Sequence, residues 1–146
     1  MAPGLSQLLE EFPVQSFPEG TRTAAEAARA IGCEVGQIVK SLVFVAGSDP
    51  VMALVSGSNR LDTDKLAALV GSPVAKADAD FTRSVTGFAI GGVPPFGHRR
   101  SMPVYLDRDL LSHLVVWAAA GRPDSVFEIS PERLVELAQA TPADLR

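Results

Sequence analysis

One run of ten residues constrains this chain more than any other. From position 37 to 46 it reads Gln-Ile-Val-Lys-Ser-Leu-Val-Phe-Val-Ala, apolar on both alternating faces except at Lys40 and Ser41. A half-exposed strand alternates polar with apolar residues, so a run apolar on both faces predicts a strand covered on both sides of its sheet. A lysine in the middle of such a strand costs on the order of several kcal/mol if its ammonium is left unpaired. Two readings stay open. Lys40 can snorkel to water at the strand end, its stem packed on apolar neighbours. Alternatively, the ammonium pairs with a carboxylate or serves an anionic or carbonyl ligand.

A second feature lies far downstream. Gly91-Gly92-Val93-Pro94-Pro95-Phe96-Gly97-His98 is too rich in glycine and proline for a helix or a regular strand. Pro94 and Pro95 stiffen the segment, whereas the glycines let another molecule approach the backbone closely. A stiff loop of bare backbone with a histidine at its exit suits a small-ligand pocket. It also suits a plain crossover between two strands. His98 either donates to a ligand or caps the turn at Gly97.

The rest of the chain punctuates itself. Leu5, Leu8, Leu9 and Phe12 predict a short amphipathic helix over residues 4 to 12. A strand is expected over residues 14 to 17, then a turn at Pro18-Glu19-Gly20. Thr23 to Glu26 has capping-box spacing and opens an alanine-rich helix ending at Gly32. Gly47 to Pro50 turns the lysine strand into a return strand over residues 51 to 55. After the polar loop Ser56 to Arg60, Asp62 caps a helix that stops at Gly71, and Asp78 caps another that stops near Gly87. Short strands are expected over residues 73 to 76 and 102 to 106. A helical turn at 107 to 112 and a buried strand over 114 to 119 follow. The turn Gly121-Arg122-Pro123-Asp124 leads into a strand over 125 to 129. Ser130 and Pro131 start a final helix with Leu134 and Leu137 facing inward. Interleaved strands and helices, with some strand pairs forming hairpins, predict an α+β protein: a mixed sheet with helices packed outside it. No linker or repeat interrupts the 146 residues, so one domain over residues 1–146 is expected.

Composition excludes several classes. The formal net charge of −4 disfavours broad binding to duplex DNA, which calls for a basic surface. It leaves room for local contact with an RNA end, and His98-Arg99-Arg100 is the densest cationic cluster. Residues 1 to 10 lack the basic and apolar regions of a signal peptide. No apolar run approaches the length that spans a bilayer, so a soluble, cytoplasmic protein without membrane contact is expected. With one cysteine and two histidines, neither an internal disulfide nor a zinc site is expected. Cys33 reads as a small buried side chain, and His113 as structural. No cofactor motif is present, and no nucleophile elbow, P-loop or His-Glu-x-x-His. Any catalysis is expected to rely on backbone donors, water and groups of the substrate.

Ile38-Val39-Lys40-Ser41-Leu42-Val43-Phe44, followed by Thr86-Gly87-Phe88 and the Gly91 to His98 loop, resembles the YbaK/ProX family, the editing domains associated with prolyl-tRNA synthetase. The likeness extends over nearly the whole chain, including the alanine-rich helix, the helix from Leu61 to Val70 and the Ser130-Pro131-Glu132-Arg133-Leu134 helix start. It implies a mixed, largely antiparallel sheet curled into a partly open barrel with surrounding helices. It also implies hydrolysis of wrongly charged tRNA, with a small amino acid such as Ala, Ser or Cys carried by a tRNA(Pro)-like substrate. Lys40 matches the family's functional lysine, Gly91 and Pro95 the ends of its Gly-x-x-x-Pro loop, and Gly121 a glycine turn bordering the pocket. By this likeness Lys40 and Gly91 are the catalytic candidates. Ser41, Gly92, Val93, Pro94, Pro95, Gly97, His98 and Gly121 are the substrate-binding candidates. The position of His98 varies across the family. The implied partners are the 3′ end of a charged tRNA and an aminoacyl-tRNA synthetase. A different class fits the same residues: a binding module that holds a nucleotide, an amino acid or a synthetase without turnover.

Overall fold

The computed structural model of the protein describes residues 9–17 and 23–146. Most of the helix expected over residues 4 to 12 lies outside these residues, as does the turn at Pro18-Glu19-Gly20.

Each helix forms where the sequence places its caps. Helix α1 (Ala24–Ile31) starts at Thr23, whose hydroxyl accepts from the Glu26 N–H at 3.1 Å. Helix α2 (Thr63–Val70) starts at Asp62, which accepts from the N–H groups of Asp64 and Lys65. Helix α3 (Ala79–Thr86) starts at Asp78, and α4 (Pro131–Ala138) at Ser130. Such caps satisfy N–H groups that have no partner within the helix. The first three helices end at glycines with φ between 82° and 88°, a backbone that only glycine adopts cheaply.

The strands are β1 (Val14–Ser16), β2 (Val39–Ala46), β3 (Asp49–Ser56), β4 (Ala75–Lys76), β5 (Val104–Asp107), β6 (Val116–Ala119), β7 (Ser125–Ile129) and β8 (Thr141–Ala143). They form two sheets rather than the single sheet expected, with orders β1-β7-β6 and β4-β2-β3-β5-β8. One parallel bridge, Ile38 to Trp117, joins the two sheets, so the barrel is not closed. The smaller sheet is antiparallel throughout. In the larger one β3 and β5, and β5 and β8, run parallel.

Burial corrects one expectation. The strand covered on both faces is β3, not β2: every β3 residue after Asp49 is buried, whereas half of β2 or more is only partly so. Central β3 has full strands on both sides and sends Met52 and Leu54 to the larger apolar cluster, Val51, Ala53 and Val55 to a second. The outer neighbour of β2 is only the two-residue β4, which leaves its flank open at Lys40 and Ser41. Leu114, expected in a buried strand, is 92% exposed, because pairing begins only at Val116. β8, which carries Pro142, was not expected at all. It pairs at the sheet edge, where a missing N–H is tolerated.

Candidate functional site: a cavity between the two sheets

Where the two sheets diverge, a cavity of about 450 Å³ opens between β2 and β6, roofed by the start of α1 and the glycine-proline loop. Its walls are mostly apolar, from Ala24, Ala27, Ile38, Leu42, Trp117 and Ala118. Four of the residues singled out in the sequence line it: Lys40, Ser41, Gly91 and Val93. An apolar cleft with a few convergent polar groups is the usual form of a small-ligand site.

Lys40 is half-buried, and its Nζ donates to the Asn59 carbonyl oxygen at 2.6 Å. Burial pushes its pKa down, and the charge of Asp107 pulls it partly back. An ammonium carries three N–H groups, so two have no partner among the described residues. Ser41 follows on β2. Its hydroxyl is buried and makes no hydrogen bond among the described residues.

The loop is shaped by its glycines. The Gly92 N–H donates to the Ala89 carbonyl at 3.0 Å, closing a turn in which Gly91 has φ 93°, as the third position of a type II turn requires. That bond removes the Gly92 N–H from any ligand. Among the described residues, the N–H groups of Gly91 and Val93 make no hydrogen bond. A side chain on Gly91 would meet nothing within 4 Å, whereas one on Gly92 would strike the Arg122 backbone at 2.9 Å. Gly92 is therefore where the loop packs on the turn that Gly121 (φ 105°) begins.

The other candidates stand behind the cavity wall. Pro94 and Pro95 are buried, and the Phe96 ring packs tilted against Phe127 with centroids 5.6 Å apart. His98 donates from Nε2 to the Pro94 carbonyl at 2.6 Å, and burial holds its pKa below the usual histidine value. His98 thus fastens its own loop, as does Gly97 with φ 78°. Cys33 is half-buried, and burial raises its thiol pKa. Among the described residues no group of three His, Cys, Asp or Glu side chains is placed to hold a metal ion. No helix among them is long and apolar enough to cross a membrane.

Sequence reasoning missed Asn59, whose carbonyl holds the Lys40 ammonium, Asp107, whose charge acts on it, and the apolar walls at Ala27 and Trp117. Asn59 stood only in a polar loop and Asp107 only at a helical turn. Nothing local to either residue announces its partner.

Comparison with known proteins agrees with this architecture. The family model "Aminoacyl-tRNA editing domain" matches residues 18–137. A crystal structure described as a candidate trans-editing enzyme for prolyl-tRNA synthetase is 47% identical and covers 100% of this chain and 98% of its own, with TM-score 0.91. EbsC of Enterococcus faecalis, named as a candidate Cys-tRNA(Pro)/Cys-tRNA(Cys) deacylase, is 29% identical over 132 residues, 89% of this chain and 80% of EbsC. The proline–tRNA ligase of Maridesulfovibrio salexigens is 31% identical over 84% of this chain, which spans only 21% of that ligase. The chain thus belongs to the aminoacyl-tRNA editing domain family.

Proposed function

We propose that the protein is a trans-acting aminoacyl-tRNA deacylase. It removes a small amino acid, such as Ala, Ser or Cys, from a tRNA(Pro)-like substrate. The observation that carries this reading is the convergence of Lys40 with the unspent N–H groups of Gly91 and Val93 on one cavity. The charged 3′ end enters between the sheets, and the free N–H groups of Lys40 bind its phosphate or steady the ester. Water attacks the ester carbonyl carbon; alternatively a side-chain thiol of the substrate attacks it and leaves as a cyclic thioester, or a ribose hydroxyl takes the acyl group first and water then hydrolyses that new ester. Charge develops on the carbonyl oxygen, where the Gly91 or Val93 N–H stabilises it. The bond to the tRNA 3′ oxygen then breaks, and that oxygen takes the proton lost by the nucleophile.

The room between the apolar walls at Ala27, Leu42 and Trp117 sets the size of side chain admitted beside the bound 3′ end, although one methylene discriminates by only about 1–3 kcal/mol. Gly92, Pro94, Pro95, Gly97, His98 and Gly121 act by holding the loop rather than by touching the ester. The synthetase-associated relatives support a synthetase as a further partner. Incubation with Ala-, Ser-, Cys- and Pro-charged tRNA, following ester loss, tests the reading. Loss of at least one small aminoacyl ester is expected, strongly slowed but still measurable in Lys40→Ala. Binding of charged tRNA without ester loss would identify a binding module instead.

A further inference from the structure

Lys40 reaches the cavity on a long flexible stem, yet among the described residues no carboxylate holds its ammonium directly. Its protein partner is the Asn59 carbonyl at 2.6 Å. The Asn59 side chain is itself clamped: its Nδ2 donates to Asp107 Oδ2 and to Asp109 Oδ2, each at 2.8 Å. Asp107 is 1% exposed and also accepts from the Ser56 N–H at 3.0 Å. The loop from Ser56 to Asn59 is therefore fixed to the end of β5, and its last carbonyl is aimed at Lys40. A carbonyl orients an ammonium without neutralising it. A carboxylate in contact would do both, and would compete with an anionic substrate.

We propose that Asp107, acting through Asn59, is the positioning residue for Lys40. It holds the ammonium at the cavity wall without a direct carboxylate contact, so that its N–H groups stay available to an anionic substrate. This rests on reading Lys40 as a substrate contact in deacylation. Of the cations near Asp107, two pair with other carboxylates. Arg146 pairs with Asp109 at 3.3 Å and Lys65 with Asp144 at 2.7 Å, while Arg108 lies beside them in the same shallow pocket. Asp107 is the group whose charge acts on Lys40, and it favours the protonated ammonium.

The test combines NMR titration with a double-mutant cycle. The chain has three lysines, Lys40, Lys65 and Lys76, so labelling lysine with 13C at Cε gives three signals, with Lys40 assigned by its loss in Lys40→Ala. In Asp107→Asn the Lys40 midpoint is expected to move to lower pH, while those of Lys65 and Lys76 stay. Deacylation kcat/KM should fall by about tenfold or more in both Asp107→Asn and Asn59→Ala, the scale on which small misplacements act. In a Lys40→Ala background neither substitution should lower the rate further, whereas a general structural defect would. Unchanged Lys40 titration together with unchanged rates in the two variants overturns the proposal. If Asp107→Asn fails to fold, Asn59→Ala decides through its rate and the hydrogen exchange of the Lys40 ammonium: a slower rate with faster exchange supports the assignment, and no change in either overturns it. Full activity in Lys40→Ala would defeat the deacylase role of Lys40. The titration would still judge the Asp107 contact.

Discussion

Gly92 lies against the backbone of Arg122 so closely that a methyl group on it would sit 2.9 Å from the Arg122 Cα and carbonyl carbon. Backbone cannot swing aside as a side chain can, so the loop and the Gly121 turn keep this spacing only with glycine at position 92. Gly92→Ala is expected to destabilise the protein by about 1–3 kcal/mol, the range for overpacking. It should also slow deacylation by displacing Gly91 and Val93. Gly91→Ala meets open space and should cost about 1–2 kcal/mol through its positive φ alone. Denaturant unfolding and deacylation rates of the two variants check the contrast.

Lys40 titrates below an ordinary lysine because burial disfavours its charge. The unfolded chain therefore holds this proton to higher pH than the folded one. Between the lowered folded value and 10.5, stability rises with pH on account of this group. Lys40→Met should remove that rise and be at least as stable as the parent below it, while deacylation is strongly slowed. Urea unfolding across the alkaline range checks the first effect. In the parent, background-corrected deacylation should fall at a lower pH than an unperturbed lysine would give.

Ser41 offers a separation of stability from function. Its buried hydroxyl has no partner among the described residues, and an unsatisfied buried donor costs about 1–3 kcal/mol. Ser41→Ala should leave the thermal midpoint equal or higher. If the hydroxyl turns to the bound substrate, KM should rise several-fold with kcat little changed.

His98 donates to the Pro94 carbonyl, and burial lowers its pKa. On acidification the unfolded chain takes up this proton first, near 6.5. The stability tied to neutral His98 is thus present above that pH and lost as pH falls toward the lower folded value. Melting curves between about pH 7.5 and 5 should show a smaller acid-induced loss in His98→Gln than in the parent. Deacylation at neutral pH should change less than in Gly92→Ala, because His98 stands outside the cavity.

Phe96 anchors the loop to the core through Phe127, and both rings are buried. Phe96→Ala should cost about 3–5 kcal/mol and lower the rate although the ring does not line the cavity. Phe96→Leu should retain more of both. Chemical denaturation with parallel rate measurements distinguishes the two.

The sequence alone determined where the four helices start, where three of them stop, and the two pieces of the candidate site. Thr23, Asp62, Asp78 and Ser130 each hydrogen-bond an N–H two or three residues on, and Gly32, Gly71 and Gly87 take a positive φ at the next stop. Such bonds are local, so spacing reveals them. Lys40 and the Gly91 loop stood out because one is a cation in an apolar run and the other is bare, stiff backbone. Tertiary structure alone decided that there are two sheets, that β3 rather than β2 is covered on both faces, and that Pro142 sits in an edge strand. It also decided which loop donors stay free: Gly92 spends its N–H on Ala89, and Gly91 and Val93 do not. The Asn59 and Asp107 contact joins residues 48 apart. Contacts of that kind depend on how whole elements pack, and no short window of sequence carries that information.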